Sequence, residues 1–392
     1  MSPRAAAVSL GCAVVGGAVV LLVAWAMGWL HGERRTVVVE QVPSAQATAA
    51  PARPALEGAF DPARVYADRS SGVVTLYAVF GSGSTASAAQ GSGFVVSSDG
   101  VILTSSHVIT TAGTGNGAPR PATDVFVEFR DRDRLKAKIV GWDVFDDVGV
   151  LRVDPKAHSL TPVPLGDSSR VVVGQPVAAI GSPFGNENSL TVGVVSATQR
   201  SIESLTSQYN LVDAIQVDAP INHGNSGGPL FDARGRMIGI NAQIRSSGNG
   251  TGFEGVGFAV PIDSARRTLD QLLRTGHVAY AYVGIRTEDL TPSIARRFGY
   301  GVQHGALIDW VDPGPGATAG LHGGTGTVVF EGDTVRAGGD IIVAIGGIPV
   351  RNAEDVVRIV SERYVPGETA RFTIVRHGRR LVVPVTFTSR PL

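Results

Sequence analysis

From about Phe60 to Val260 the chain is a succession of short β-branched runs cut by Gly, Asp and Ser turns. Examples are "GVVTLYAVF", "GSGFVVSSDGVILTS", "DVFVEFR", "DVGVLRV" and "QPVAAIG". "SSDG", Ser97 to Gly100, is a hairpin turn between two such runs. No helical pattern separates the strands, so parallel βαβ units are excluded and an all-β sandwich or barrel is expected. The glycine content, 50 of 392 residues, suits this many turns. "SARRTLDQLLRTG", Ser264 to Gly276, then reads as a closing helix with a Ser cap and a Gly stop.

A chain of 392 residues exceeds one ordinary core, and the pattern changes after Gly276. Residues 280–392 hold "NAEDVVRIVSERY", a helix capped by Asn352, and "ARFTIVRHGRRLVVPVTF", a hairpin about His377-Gly378. The hairpin's second strand sets Leu381, Val383, Val385 and Phe387 on one face. Between these elements the Gly-rich stretch Leu321 to Asp340 reads as an irregular insertion loop. Lys+Arg and Asp+Glu number 34 each, which speaks against a nucleic-acid binder. The sole cysteine, Cys12, lies in the apolar N-terminal segment, so the rest of the chain has no disulfide, cysteine metal site or thiol nucleophile. Most of the apolar run follows Cys12, which disfavours lipidation there. Neither a cofactor nor a metal is expected, and no G-x-x-x-x-G-K-[ST] phosphate loop occurs.

The stretch Ala5 to Leu30 carries no charge and exceeds the roughly 20 residues that span a bilayer. Trp25 and Trp29 suit an interfacial belt. Residues 1–35 are therefore expected to form a short stub and an uncleaved transmembrane helix. A long signal peptide is the alternative, and counting Arg4 against Arg34 and Arg35 does not orient the segment. Residues 36–59 are an Ala/Pro-rich linker.

"INHGNSGGPL", Ile221 to Leu230, surrounds Ser226 with Gly224, Gly227 and Gly228. A serine nucleophile needs a base, a carboxylate that orients the base, and donors for an oxyanion. Backbone curled at Gly224 could aim the N–H groups of Gly224 and Ser226 at one point. His107, after the apolar run in "GVILTSSHVIT", is placed on a loop at a strand end and is the candidate base. His223 rivals it by proximity. Of the carboxylates in "WDVFDDVGVLRVD", Asp147 stands at a strand entry and Asp146 is second. The chain order His107, Asp147, Ser226 is that of chymotrypsin-type enzymes.

With these residues in place the chain resembles the HtrA/Deg serine proteases. "GSGFVVSSDGVILTSSHVI", "DVGVLRVD", "GQPVAAIGSPFG", "LTVGVVSATQR", "IQVDAPINHGNSGGPLFDARGRMIGIN" and "GVGFAVPID" look like successive segments of that family's protease domain. The resemblance implies a mainly β fold: a chymotrypsin-like double six-stranded β-barrel over residues 60–276. It makes Ser226 nucleophile, His107 general base, Asp147 orienter, and Gly224 and Ser226 the oxyanion donors. "AYVGIRTEDLTP", "VDPGPGATAGL" and "GGDIIVAIGGIPVRNAEDV" resemble the family's PDZ domain, which would span 280–392. There Tyr282, Val283, Gly284 and Ile285 would capture a peptide C-terminus. Two positions depart: His223 stands where the family commonly has proline, and Asn225 where trypsin-like zymogens have an aspartate. Activation without zymogen cleavage is implied by Asn225, and allosteric switching by the polar loops Arg200 to Leu211 and Ala242 to Glu254.

The expected function is a single-pass, membrane-anchored, ATP-independent serine endopeptidase for unfolded or damaged envelope proteins. Its protease and PDZ domains would lie on the extracytoplasmic side of a bacterial-type cell membrane, as a homotrimer by resemblance. A non-proteolytic chaperone and a narrow signalling protease are the alternatives.

Overall fold

The computed structural model describes Val23 and residues 60–391 apart from 84–85, 115–116, 183–188, 223 and 245–254. Twelve strands follow the turn-punctuated pattern. The first six are β1 (Val73–Phe80), β2 (Ser87–Val95), β3 (Val101–Thr104), β4 (Asp124–Glu128), β5 (Arg134–Asp143) and β6 (Val148–Arg152). They close into a barrel in the order β1-β2-β3-β6-β5-β4. The next six are β7 (Pro176–Gly181), β8 (Ser189–Glu203), β9 (Asn210–Val217), β10 (Pro229–Asp232), β11 (Met237–Ile244) and β12 (Gly257–Pro261). They close in the order β10-β11-β12-β9-β8-β7. Closure leaves neither barrel an unpaired edge.

The near-continuous apolar runs have a physical reason. Successive side chains of a strand point to opposite faces, and here both faces of several strands are covered. Ile102 of β3 enters the core of the first barrel with Leu76, Val127 and Leu151. Its neighbours Val101 and Leu103 face the other way, into a cluster shared with Ile180, Phe231, Ile240 and Val260 of the second barrel. All four residues of β3 are consequently buried. The second barrel has its own core of Val177, Ile215, Val217 and Leu230. Burying one such side chain contributes about 1.5–3 kcal/mol, so the face shared by the barrels fixes their relation as firmly as each interior fixes a barrel.

The closing helix spans Ile262–Thr275, with Gly276 at φ 75° as its stop. The expected Ser264 cap is corrected: Pro261 occupies the cap position, and Ser264 lies inside the first turn. β12 runs straight into the helix, and fully buried Ile262 sets the entry.

A second module follows. Its main sheet has the order Ile285–Asp289, Ala306–Val311, Ile341–Ile345, Thr369–Arg376, Arg379–Thr386. The helix Ala353–Arg363 is capped by Asn352, whose side chain accepts from the Asp355 N–H. Val356, Ile359 and Val360 of this helix join Ile308, Ile342 and Phe372 in the core. On the last long strand, Arg379–Thr386, only part of the expected face is covered: Val385 and, just past its end, Phe387 are buried, whereas Leu381 is exposed on this edge strand. The stretch 321–340 is not irregular. It holds a hairpin, Gly326–Phe330 with Asp333–Ala337, in register Phe330↔Asp333. Its two-residue turn, Glu331-Gly332, has φ of 53° and 93°, the left-handed pair that matches strand twist. Val335 packs from it onto Leu307 and Ile341.

Among the described residues no helix is long and apolar enough to cross a membrane. The apolar segment 5–30 lies outside them apart from Val23, which is helical.

Candidate active site

β3 ends at Thr104, and a single helical turn, Ser106–Ile109, follows it. His107 therefore sits on a short helix and not on the expected loop. Its Nδ1 lies 2.7 Å from Asp147 Oδ2. The other carboxylate oxygen, Oδ1, accepts from the His107 N–H at 3.0 Å and from Ser106 Oγ at 2.8 Å. Asp147 is the residue before β6 and has φ 52°, a left-handed conformation uncommon outside glycine. Nδ1–H donates to the carboxylate, which leaves Nε2 as the acceptor of the ring. Burial disfavours the imidazolium, but the charge and hydrogen bond of Asp147 outweigh it and raise the His107 pKa above its ordinary value. Asp146, the other candidate orienter, is buried beside Tyr280 and Asp143 and faces Arg267 and Arg390.

Ser226 lies in the tight turn before β10. Gly224 at φ 99° and Gly227 at φ 82° make the turn possible. The Asn225 N–H donates to Asn222 O, the Gly227 N–H to Asn241 O, and the Gly228 N–H to Asn225 O. Among the described residues the N–H groups of Gly224 and Ser226 meet no acceptor. Gly227 also faces the histidine strand closely. A Cβ there would stand 2.3 Å from Ser92 O and 2.8 Å from Ser105 N. Ser226 Oγ donates to Ala242 O at 3.3 Å, and no hydrogen bond joins it to His107. Asn225 is buried, with Nδ2 donating to Pro220 O at 3.3 Å. His223 lies outside the described residues.

One residue of this site escaped the sequence reading. Ser92, fully buried in β2, spans the boundary between barrels. Its N–H donates to Ser226 O at 2.9 Å and its hydroxyl to Gly224 O at 2.6 Å. The hydroxyl also accepts from the Ser182 N–H at 2.9 Å, and Ser92 O accepts from Thr104 Oγ1 at 2.7 Å. One serine thus holds both ends of the turn that carries Ser226. Its only trace in the sequence is a small polar residue within "GSGF", which looks like any Gly-Ser turn.

Residues 91–240, which contain all three candidates, match the family described as Trypsin-like peptidase domain. The chain is 38% identical over 302 residues to a probable periplasmic serine endoprotease, DegP-like, of Pseudomonas putida (strain W619). That match covers 77% of this chain and 56% of the relative, so the chain spans little more than half the relative's length. The chloroplastic Protease Do-like 1 of Arabidopsis thaliana is 37% identical over 306 residues, with 77% of this chain and 64% of that one covered. Among solved structures, the HtrA-type protease AlgW with tripeptide superposes with a TM-score of 0.69 at 31% identity. It covers 85% of this chain and 98% of its own. The chain belongs to the HtrA-type serine proteases. Its two barrels have the chymotrypsin-like arrangement of that family.

In this HtrA-type chain the stretch Tyr282–Ile285 joins a short strand, Ala281–Tyr282, to the edge strand Ile285–Asp289. Gly284 turns it at φ 76°. The carbonyls of Val283 and Gly284 accept from the Gly316 and Asp312 N–H groups at 2.7 and 2.9 Å. Among the described residues no group of three or more His, Cys, Asp or Glu could hold a metal ion.

Proposed function

We propose that the protein is a membrane-anchored, ATP-independent serine endopeptidase acting on unfolded or damaged envelope proteins. The observation that carries this reading is the 2.7 Å contact of His107 Nδ1 with Asp147 Oδ2 in the first barrel, to which Ser92 ties the glycine turn of Ser226. In the reaction, Ser226 Oγ rotates from Ala242 O toward Nε2 of His107 and attacks the substrate carbonyl carbon. His107 takes the hydroxyl proton and passes it to the leaving amine. The N–H groups of Gly224 and Ser226 receive the oxyanion, worth about 10²–10³ in rate per donor. Water then cleaves the acyl-enzyme by the same proton route. The neutral, buried Asn225 offers no partner to a freed amino terminus, which favours activity without zymogen cleavage.

The second module is read as a PDZ domain. Its carbonyls at Val283 and Gly284 are turned inward, which supports outward N–H groups at Tyr282–Ile285 for a peptide carboxylate. The edge strand Ile285–Asp289 would accept the peptide as an added strand. Segment 5–30 and the periplasmic description of the Pseudomonas relative support an envelope location. A trimer follows only from the family, and light scattering of the full chain would test it.

The deciding experiment is digestion of casein by the full chain, wild type against Ser226→Ala. Cleavage by the wild type alone is expected. Equal cleavage by both proteins would remove Ser226 as the nucleophile.

A further inference from the structure

The Asp147 turn is backbone under strain, and such conformations persist only where surrounding structure holds them. Ser106 and His107 hold Asp147 from within the first barrel, and the residues that lead into the turn are held in part from outside it. The Asp143 carboxyl, which opens the turn, accepts from the Phe145 N–H at 2.9 Å, from Thr268 Oγ1 of the closing helix at 3.2 Å, and from the Tyr280 hydroxyl. Val144 O accepts from Thr206 Oγ1 at 2.6 Å. The Phe145 ring meets Tyr280 edge-on at 5.2 Å.

Into this cluster comes Arg390 from the second module. The pairing of Ala281–Tyr282 with Thr388–Ser389 delivers it, and its N–H donates to Tyr280 O at 3.0 Å. Its guanidinium lies 5.2, 5.1 and 5.0 Å from the ring centres of Phe145, Tyr209 and Tyr280. Three rings around one cation form a cage whose attraction grows as water is excluded. The charges facing the turn are those of Asp143, Asp146, Arg267 and Arg390. One aromatic cage therefore joins Phe145, two residues before Asp147, to the β8–β9 connection and to the second module.

We propose that Arg390 and Tyr280 are positioning residues for the Asp147–His107 pair, acting through Phe145 and Asp143 of the turn that leads into Asp147. The role of that pair rests on the protease reading above. Displacing Arg390 frees Phe145, the turn relaxes from its left-handed conformation, and the carboxylate leaves Nδ1 of His107. The imidazolium then loses its partner and its proton affinity falls.

The test uses full-length chains carrying Arg390→Ala, Arg390→Lys and Tyr280→Phe. The primary reading is the His107 titration by NMR of ¹³C-histidine-labelled Ser226→Ala protein, with His107→Gln to assign the signal. Because it needs no activity, it stands even if the protease reading fails. Arg390→Ala should raise the proton dissociation constant of His107 about tenfold, and Tyr280→Phe should act in the same direction. Arg390→Lys, which keeps a cation in the cage, should restore most of the wild-type value. In the Ser226 background, kcat for casein should fall about tenfold in Arg390→Ala with KM little changed. A His107 titration unchanged in Arg390→Ala and Tyr280→Phe overturns the proposal. So does a lowered melting temperature that Arg390→Lys fails to rescue while the titration stays in place. Equal casein cleavage by wild type and Ser226→Ala overturns only the protease reading.

Discussion

Ser92→Ala is the sharpest test of how the two barrels share one site. The substitution keeps the backbone bonds of Ser92 to Ser226 O and from Thr104 Oγ1. It removes only the hydroxyl, which links Gly224 O at 2.6 Å with the Ser182 N–H at 2.9 Å. Both groups lie beside fully buried Ser92 and near Ser182, itself 1% exposed. Each orphaned group costs about 1–3 kcal/mol, so a loss of about 3 kcal/mol is expected. At about 2–4 °C per kcal/mol for a domain of this size, the melting midpoint falls by about 6–12 °C. Freed of its bond, the Gly224 carbonyl can turn, and the peptide it shares with the Asn225 N–H no longer fixes the two flanking peptides that carry the N–H groups of Gly224 and Ser226. The rate kcat should therefore fall about tenfold to a hundredfold, bounded by the worth of one oxyanion donor, while KM changes little. Calorimetric melting and initial rates on a casein-derived peptide give both numbers. A wild-type melting midpoint with wild-type kcat would refute the reasoning. A lowered midpoint with intact kcat would show that Ser92 joins the barrels without setting the Ser226 turn.

Three other outcomes are expected. Gly227→Ala, at φ 82° with Ser92 O and Thr104 Oγ1 each 2.3 Å from its Cβ, should destabilise by about 3–5 kcal/mol and abolish casein cleavage; a melting curve superimposable on wild type would contradict the close approach. On the proposed role of His107 as general base, the acid limb of kcat/KM should have its midpoint above the ordinary imidazole range, because the base must be neutral and Asp147 raises its pKa against burial. Asp147→Asn should lower the rate about 10⁴-fold and move that limb down, and a limb that stays put in a pH-rate profile would separate it from His107. Burial and the neighbouring Asp146 push Asp143 up to about 7 from 3.8. The folded state thus holds this proton more tightly than the unfolded one. The stability it contributes is complete below the unfolded value and is lost as pH rises through about 7. Asp143→Asn should therefore narrow the gap between melting midpoints measured at about pH 5 and about pH 8; an unchanged gap would exclude Asp143 as its source.

The sequence by itself determined the all-β character of residues 60–260, because turn residues recur there at strand spacing between β-branched runs and no helical period intervenes. It also marked Ser226 by its glycines, and His107 and Asp147 by their chain order. These signals are local: a turn, a cap or a strand entry leaves its chemistry within a few residues. Tertiary structure alone decided what joins distant segments. The unbroken apolar run of β3 does not say which side faces its own barrel and which the other, because both are equally hydrophobic. Glu331-Gly332 closes a hairpin inside a stretch whose glycines masked its period of two. Ser92 carries no local mark, since its four hydrogen bonds reach Thr104, Ser182, Gly224 and Ser226 across folded chain. Arg390 sits far from Phe145 in sequence, and only strand pairing brings its charge to the turn before Asp147.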